Sequence, residues 1–187
     1  LDRALLKEMG SLGLIGVDIP EALGGMGQSS VTSGVIVETI AEADFNVSYV
    51  QLLGSLIGGM IAKHASPDIA REWLPRVVAG EALLALGLTE PRGGSDAASL
   101  QLRATRSGNG WRLNGEKTSI SLSDQADAAV VFARTGDAKA GSRGVSAFFV
   151  DLKEKGITRT HFDDIGTRPV GRGSLFFDDV YVPAEAM

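Results

Sequence analysis

The chain has 187 residues, 44% hydrophobic and 22% charged, an ordinary globular composition with room for one large domain or two small ones. A formal net charge of −5 and a sequence pI near 5.1 argue against a nucleic-acid binder, which needs a basic face. No cysteine is present, which excludes a disulfide framework, a thiolate nucleophile and a thiolate metal site. His64 and His161 lie far apart with no carboxylate–histidine spacing, so no metal site is expected.

The first part of the chain reads as helical. Leu5, Leu6, Met9 and Leu12 share a helical face, and Gly10 and Gly13 end that segment. A glycine-rich connection follows from Pro20 to Ser30. Ser29 or Ser30 caps a second helix, with Val31, Val35, Ile36, Ile40 and Ala43 as its predicted apolar stripe. Phe45 to His64 predicts a third. Its least polar stretch, Val47 to Ala62, carries Ser48, Gln51 and Ser55 and is short for a span, so a buried helix is expected, with no membrane span. Gly54 and Gly58 predict close helix–helix contact there. Ser66-Pro67-Asp68 starts a fourth helix, with a hydroxyl cap, a first-turn proline and a carboxylate at the positive end; Pro75 is expected to end or kink it.

Near residue 82 the hydrophobic period changes to two. Strands are predicted over Leu100–Ser107, Trp111–Lys117, Ala128–Thr135, Gly144–Leu152, Ile157–His161 and Gly173–Val182, with a hairpin turn at Gly108-Asn109-Gly110. Short strands with regular turns favour an antiparallel barrel or sandwich over a Rossmann sheet, and no G-x-G-x-x-G opens a helix. The predicted class is α+β: an N-terminal α-helical bundle over 1–81, then an antiparallel β-barrel or sandwich domain over 82–187.

The richest segment follows the apolar run Ala82–Leu86: Gly87-Leu88-Thr89-Glu90-Pro91-Arg92-Gly93-Gly94-Ser95-Asp96. Glycines let backbone approach a ligand and leave N–H groups free, and hydroxyls add donors and acceptors. By itself this is either a cradle for a polar, phosphate-bearing cofactor or a surface turn. Its T-E-P-x-x-G-S-D pattern after an apolar strand resembles the flavin-binding signature of the acyl-CoA dehydrogenases. Other segments fall in register with that family. Leu12 to Glu21 with Gly24-Gly25-Met26-Gly27 resembles its LGLLG…PEEYGGLG stretch. Trp73-Leu74-Pro75 with Ala79-Gly80-Glu81 resembles YLP…ASGE, Asn114-Gly115-Glu116-Lys117 and Ala133-Arg134-Thr135 resemble NGxK and ART, and Phe176 to Glu185 resembles FDDVxVPAEN.

The resemblance covers essentially the whole chain and implies an FAD enzyme that converts an acyl-CoA thioester to its trans-2-enoyl-CoA. It implies cofactor contacts at Leu86, Leu88, Thr89, Ser95, Ser119 and Ser121, with Ser95 also toward the substrate's pantetheine arm. It further implies an electron-transfer flavoprotein as acceptor, a homodimer or homotetramer, a role in fatty acid metabolism, and a cytoplasmic location (the mitochondrial matrix in a eukaryote). The catalytic base is expected in a C-terminal helical domain outside these residues, and the helical domain is expected to be truncated at its start. Glu90 and Asp96 are read as corner-fixing carboxylates. Ser119 stands where the family commonly has a tryptophan against the flavin, which opens that face; Ser121 keeps the hydroxyl of the usual threonine. Arg168 and Arg172, in a glycine-rich loop, either reach CoA phosphates or are solvated. A flavin oxidase or monooxygenase of the same superfamily and a non-catalytic acyl-CoA-binding module are the alternatives.

Overall fold

The computed structural model describes residues 1–187, with the side chain of residue 138 left out. The chain divides into two compact units, Leu1–Leu84 with Ile165–Val170, and Ala85–Asp164 with Gly171–Met187.

The first unit holds four helices: α1 (Arg3–Ser11), α2 (Ser30–Ala43), α3 (Phe45–His64) and α4 (Pro67–Val78). Each starts on a side-chain cap. Asp2 accepts from Ala4 N, Ser29 from Thr32 N, Asp44 from Asn46 N and Ser66 from Ile69 N, which satisfies N–H groups that have no intrahelical partner. Pro75 does not end α4. The helix runs on to Val78, and Ala79 N donates to Pro75 O at 3.0 Å, so the ring removes one donor without stopping the following turn.

Leu6, Met9, Val50, Ile57, Ile61, Leu74 and Val77 are buried in this unit, together with Ile15, Val17 and Ile19 from the connection after α1. That connection explains Gly54 and Gly58. A Cβ on Gly58 would meet Ile19 Cδ1 at 2.6 Å, and one on Gly54 would meet Ile15 Cγ2 at 3.0 Å. The glycines chiefly admit a loop, rather than a second helix as the spacing predicts. The apolar stripe expected on α2 also differs. Val31 and Val35 are 77% and 56% exposed, and Ser33 is the residue α2 buries. Half of the most apolar window of α3 is buried, although by length and composition that helix is apolar enough to cross a membrane.

The second unit is a curled seven-stranded sheet: β1 (Leu84–Gly87), β2 (Arg103–Ser107), β3 (Gly110–Ile120), β4 (Ala128–Arg134), β5 (Val145–Asp151), β6 (Ile157–Arg159) and β7 (Gly173–Pro183), where β1 begins at the boundary residue. The strand order is β1-β4-β2-β3-β7-β6, with β5 also paired to β4. The sheet is mixed, not purely antiparallel. β2 and β4 run parallel through Arg103 and Arg134, because β3 takes one edge of β2 and the returning chain lays β4 on the other, in β2's own direction. β3 and β7 form the longest ladder, interrupted by register shifts between Leu113 and Gly115 and between Lys117 and Ile120. Both shifts lie on β3, the strand that carries Ser119.

Candidate cofactor site

β1 ends at Gly87, and the chain turns into the Thr89-Glu90-Pro91 corner. Glu90 N and Gly93 O, and Gly93 N and Glu90 O, bond reciprocally at 3.1 and 3.0 Å, closing a tight turn with Pro91 and Arg92 at its tip. The lock on this corner lies beneath it. Lys117 of β3 has a fully buried side chain, and its Nζ donates to Glu90 Oε1 at 2.7 Å and to Leu88 O at 3.1 Å. Its stem passes Gly87, where an added Cβ would sit 3.4 Å from Lys117 Cγ and 3.2 Å from Val131 Cγ2, so a small residue is needed there. Glu90, 6% exposed, also accepts from Gln101 N at 2.5 Å and from Leu102 N at 2.8 Å.

Charge and burial compete at this pair. Desolvation pushes the Glu90 carboxyl up. The Lys117 hydrogen bond, the Leu102 and Gln101 N–H groups and the Lys117 charge outweigh it and hold the group below the usual carboxylate range. Desolvation lowers the Lys117 ammonium, and the Glu90 bond offsets part of that. A carboxylate so fully bonded is poorly suited to take a substrate proton, and Glu90 serves to fix the corner. Asp96 accepts from Ser99 Oγ at 2.6 Å and anchors the turn that follows.

The corner is tied to β3 a second time, where Thr118 N donates to Thr89 O at 2.9 Å. This bond brings Thr89 beside the Thr118–Ser121 stretch. Ser119 lies in the irregularity after Lys117 at φ 56°, and its side chain is exposed. Thr89 and Ser121 are half-buried, yet neither hydroxyl finds a partner among the described residues. The hydroxyls of Ser95 and Ser119 are likewise unpartnered there. Leu86 and Leu88 are half-buried on the same run of chain. Ser95 lies further along the loop: Gly94 packs on Thr89, an added Cβ there lying 3.6 Å from Thr89 Oγ1, and Ser95 follows, exposed.

Half-buried polar groups without internal partners are the groups a polar ring system can satisfy. Open space above Gly93 lets a ligand approach the backbone. The residues present thus fit a flavin. A depression of about 340 Å³ nearby is lined by Pro91, Arg92, Gln101, Gly115 and Glu116, but by none of Leu86, Leu88, Thr89, Ser95, Ser119 or Ser121. Glu90 and Leu102 line it as well, and we place the candidate site instead with the hydroxyl-bearing residues. Among the described residues no group of carboxylates and histidines is gathered for a metal.

Two arginines are held within the β unit. Arg172 is held by Asp164 through Nε at 2.8 Å and Nη2 at 3.1 Å and lies over the Phe162 ring, so its guanidinium is already engaged. Arg134 of the ART motif is buried and donates to the carbonyls of Ala98, Leu100 and Gly141, joining the segment before β2 to the turn between β4 and β5. Neither Arg134 nor Lys117 was singled out by sequence reasoning beyond membership in a motif. The signal available was a cation set within a predicted strand, where burial demands a partner.

The comparisons with known proteins place the chain in a family. The family model described as acyl-CoA dehydrogenase, N-terminal domain, matches residues 1–81, and that described as acyl-CoA dehydrogenase, middle domain, matches residues 85–180. The chain belongs to the acyl-CoA dehydrogenase family. It is 33% identical over 186 residues to the human mitochondrial short-chain specific acyl-CoA dehydrogenase, covering 98% of this chain and 45% of that one. It is 33% identical over 185 residues to the caffeyl-CoA reductase-Etf complex subunit CarC of Acetobacterium woodii, covering 98% and 48%. A Mycobacterium smegmatis glutaryl-CoA dehydrogenase solved in complex with FADH2 superposes with a TM-score of 0.91 at 34% identity, covering 100% of this chain and 47% of that one. The chain spans about half the length of the curated relatives it matches.

Proposed function

We propose that this chain forms the helical and middle β domains of an FAD-dependent acyl-CoA dehydrogenase, which takes an acyl-CoA to its trans-2-enoyl-CoA. The observation that carries the reading is the corner itself. The half-buried Thr89 and Ser121 hydroxyls, on two segments tied together by the Thr89–Thr118 bond, lack any internal partner among the described residues. When bound, FAD supplies the acceptor for the substrate's β-hydride. Thr89 and Ser121 donate to the ring edge where negative charge develops, and Leu86 and Leu88 pack along it. Ser95 lies toward the phosphate-bearing arms of cofactor and substrate. The α-proton goes to a base that the family resemblance places outside residues 1–187, while Glu90 and Asp96 hold the corner.

An electron-transfer flavoprotein is the acceptor in this reading, supported by the relative named as part of an Etf complex. A homodimer or homotetramer, and a place in fatty acid metabolism, follow from the family resemblance. The exposed Ser119 supports one further reading, a flavin oxidase, because an open flavin face admits oxygen.

The visible spectrum of the intact protein tests the cofactor and the reaction. Bound flavin that bleaches on anaerobic addition of acyl-CoA, and recolours only with an added acceptor, supports the dehydrogenase. Rapid recolouring in air supports the oxidase. A protein that takes up no flavin removes both.

A further inference from the structure

The Lys117–Glu90 pair has a consequence for the backbone of the cofactor face. Lys117 Nζ lies beneath the corner and takes the Leu88 carbonyl at 3.1 Å, so that C=O points into the interior. In a trans peptide the following N–H points opposite the C=O, and among the described residues no peptide bond is cis. The Thr89 N–H therefore points away from Lys117, and like the Thr89 hydroxyl it lacks a partner among the described residues. The Thr89 carbonyl is fixed by Thr118 N at 2.9 Å, so the peptide planes on both sides of Thr89 are held. Glu90 keeps the ammonium in place, and is itself held by Gln101 N and Leu102 N.

We propose that Lys117 is a positioning residue for flavin chemistry: through Leu88 O it locks the Leu88–Thr89 peptide with its N–H turned out as a preorganised donor to the flavin ring. The inference rests on the flavin reading above. A fixed donor at the ring edge favours the reduced, more negative flavin over the oxidised one and needs no reorganisation as charge develops. Lys117 touches neither cofactor nor substrate. It acts through one carbonyl.

The test compares Lys117→Met with the double variant Lys117→Met/Glu90→Gln in the intact protein. Both lose the donor to Leu88 O. Only the single variant leaves a buried carboxylate without its cation, which is strongly destabilising. The expected result is a melting temperature that falls in the single variant and largely recovers in the double. FAD binding weakens about tenfold in both, and both lose about tenfold in preference for reduced over oxidised flavin, a drop of about 30 mV in the two-electron midpoint potential. A potential unchanged from wild type in the double variant overturns the inference and leaves Lys117 a purely structural ion-pair partner.

Amide exchange on the wild type needs no variant to fold. Thr89 N–H is expected to exchange readily in flavin-free protein and to be protected once FAD is bound. Equal exchange in the two states overturns the inference while the flavin reading stands. Wild type that binds no FAD overturns both.

Discussion

The carbonyl of Thr89 and the backbone N–H of Thr118 meet at 2.9 Å, joining residues far apart in sequence at the point where β3 becomes irregular. Through that bond the hydroxyl of Thr89 is presented next to the Thr118–Ser121 stretch without a partner of its own. Thr89→Val keeps the shape and β-branching and removes only the hydroxyl. We expect FAD affinity to fall by about tenfold, corresponding to one hydrogen bond of ~1–1.5 kcal/mol, with the unfolding midpoint unchanged. Ser121→Ala is expected to behave similarly. Fluorescence titration with FAD checks both, and loss of affinity accompanied by a large fall in stability would show that these hydroxyls serve the fold instead.

Ser119 adopts φ 56° and leaves its side chain exposed, so the space a large aromatic would occupy is open. An aromatic wall there would bury roughly 150–250 Å². Ser119→Trp is expected to lower kcat/KM for branched and cyclic acyl-CoAs while leaving short straight chains nearly unaffected. A substrate panel decides it: equal losses across all chains, or strict preference for short straight chains in the wild type, would remove the idea that this face accommodates bulk.

Much of the architecture is legible in the sequence, for identifiable reasons. Ser29 and Ser66 cap helices, and capping is local chemistry. The strands follow from period-two patterning, and the Ser107–Gly110 hairpin from two glycines around an asparagine. Long-range partnerships are not legible. Periodicity marks Gly54 and Gly58 as places of close approach but does not say that Ile15 and Ile19 fill them. It marks Val31 and Val35 as apolar but not that they face outward. Residues 165–170 join the helical unit across a long sequence separation, with Val170 buried and no local pattern to announce it. At the site, the T-E-P corner is visible as a motif. The cation that holds it is another strand's residue, and only folding pairs Lys117 with Glu90.

That pair makes stability depend on pH with a definite sign. Glu90 titrates lower in the folded protein than in the unfolded chain, so its contribution is present above the unfolded carboxylate pKa and is lost as pH falls through the folded value. The Lys117 shift is also downward, so the folded state sheds that proton more easily than the unfolded chain and stability again rises with pH, in the alkaline range. Glu90→Gln is expected to cost about 3–5 kcal/mol at neutral pH, because it leaves a buried ammonium without its counter-charge. The gap to wild type should narrow as pH falls below the unfolded carboxylate value of about 4 and close as it passes the lower folded value, where the wild-type carboxylate is itself protonated. Urea unfolding of both proteins across that range checks it. A gap that stays constant with pH would mean Glu90 acts only through its neutral hydrogen bonds.

In the helical unit the corresponding buried polar device is Gln51, with 0% exposure. Its Oε1 accepts from Gly16 N at 2.6 Å, and its Nε2 donates to Ser33 Oγ at 3.2 Å. Ser33 Oγ in turn donates to Ser55 Oγ at 3.0 Å. Gly16 sits at φ 61° in the connection after α1, so Gln51 pins a left-handed turn to α3 while joining α3 to α2. Gln51→Leu matches the volume but strands the Gly16 N–H in an apolar setting. The expected cost is about 1–3 kcal/mol, the desolvation of one unpaired donor with a weaker contribution from Ser33. Ser55→Ala, at the far end of the chain of bonds, removes only an acceptor for a hydroxyl that is free to rotate, and should cost clearly less. Denaturant unfolding of the two variants orders them. Equal costs would show that the network behaves as one cooperative unit instead of being anchored at Gly16.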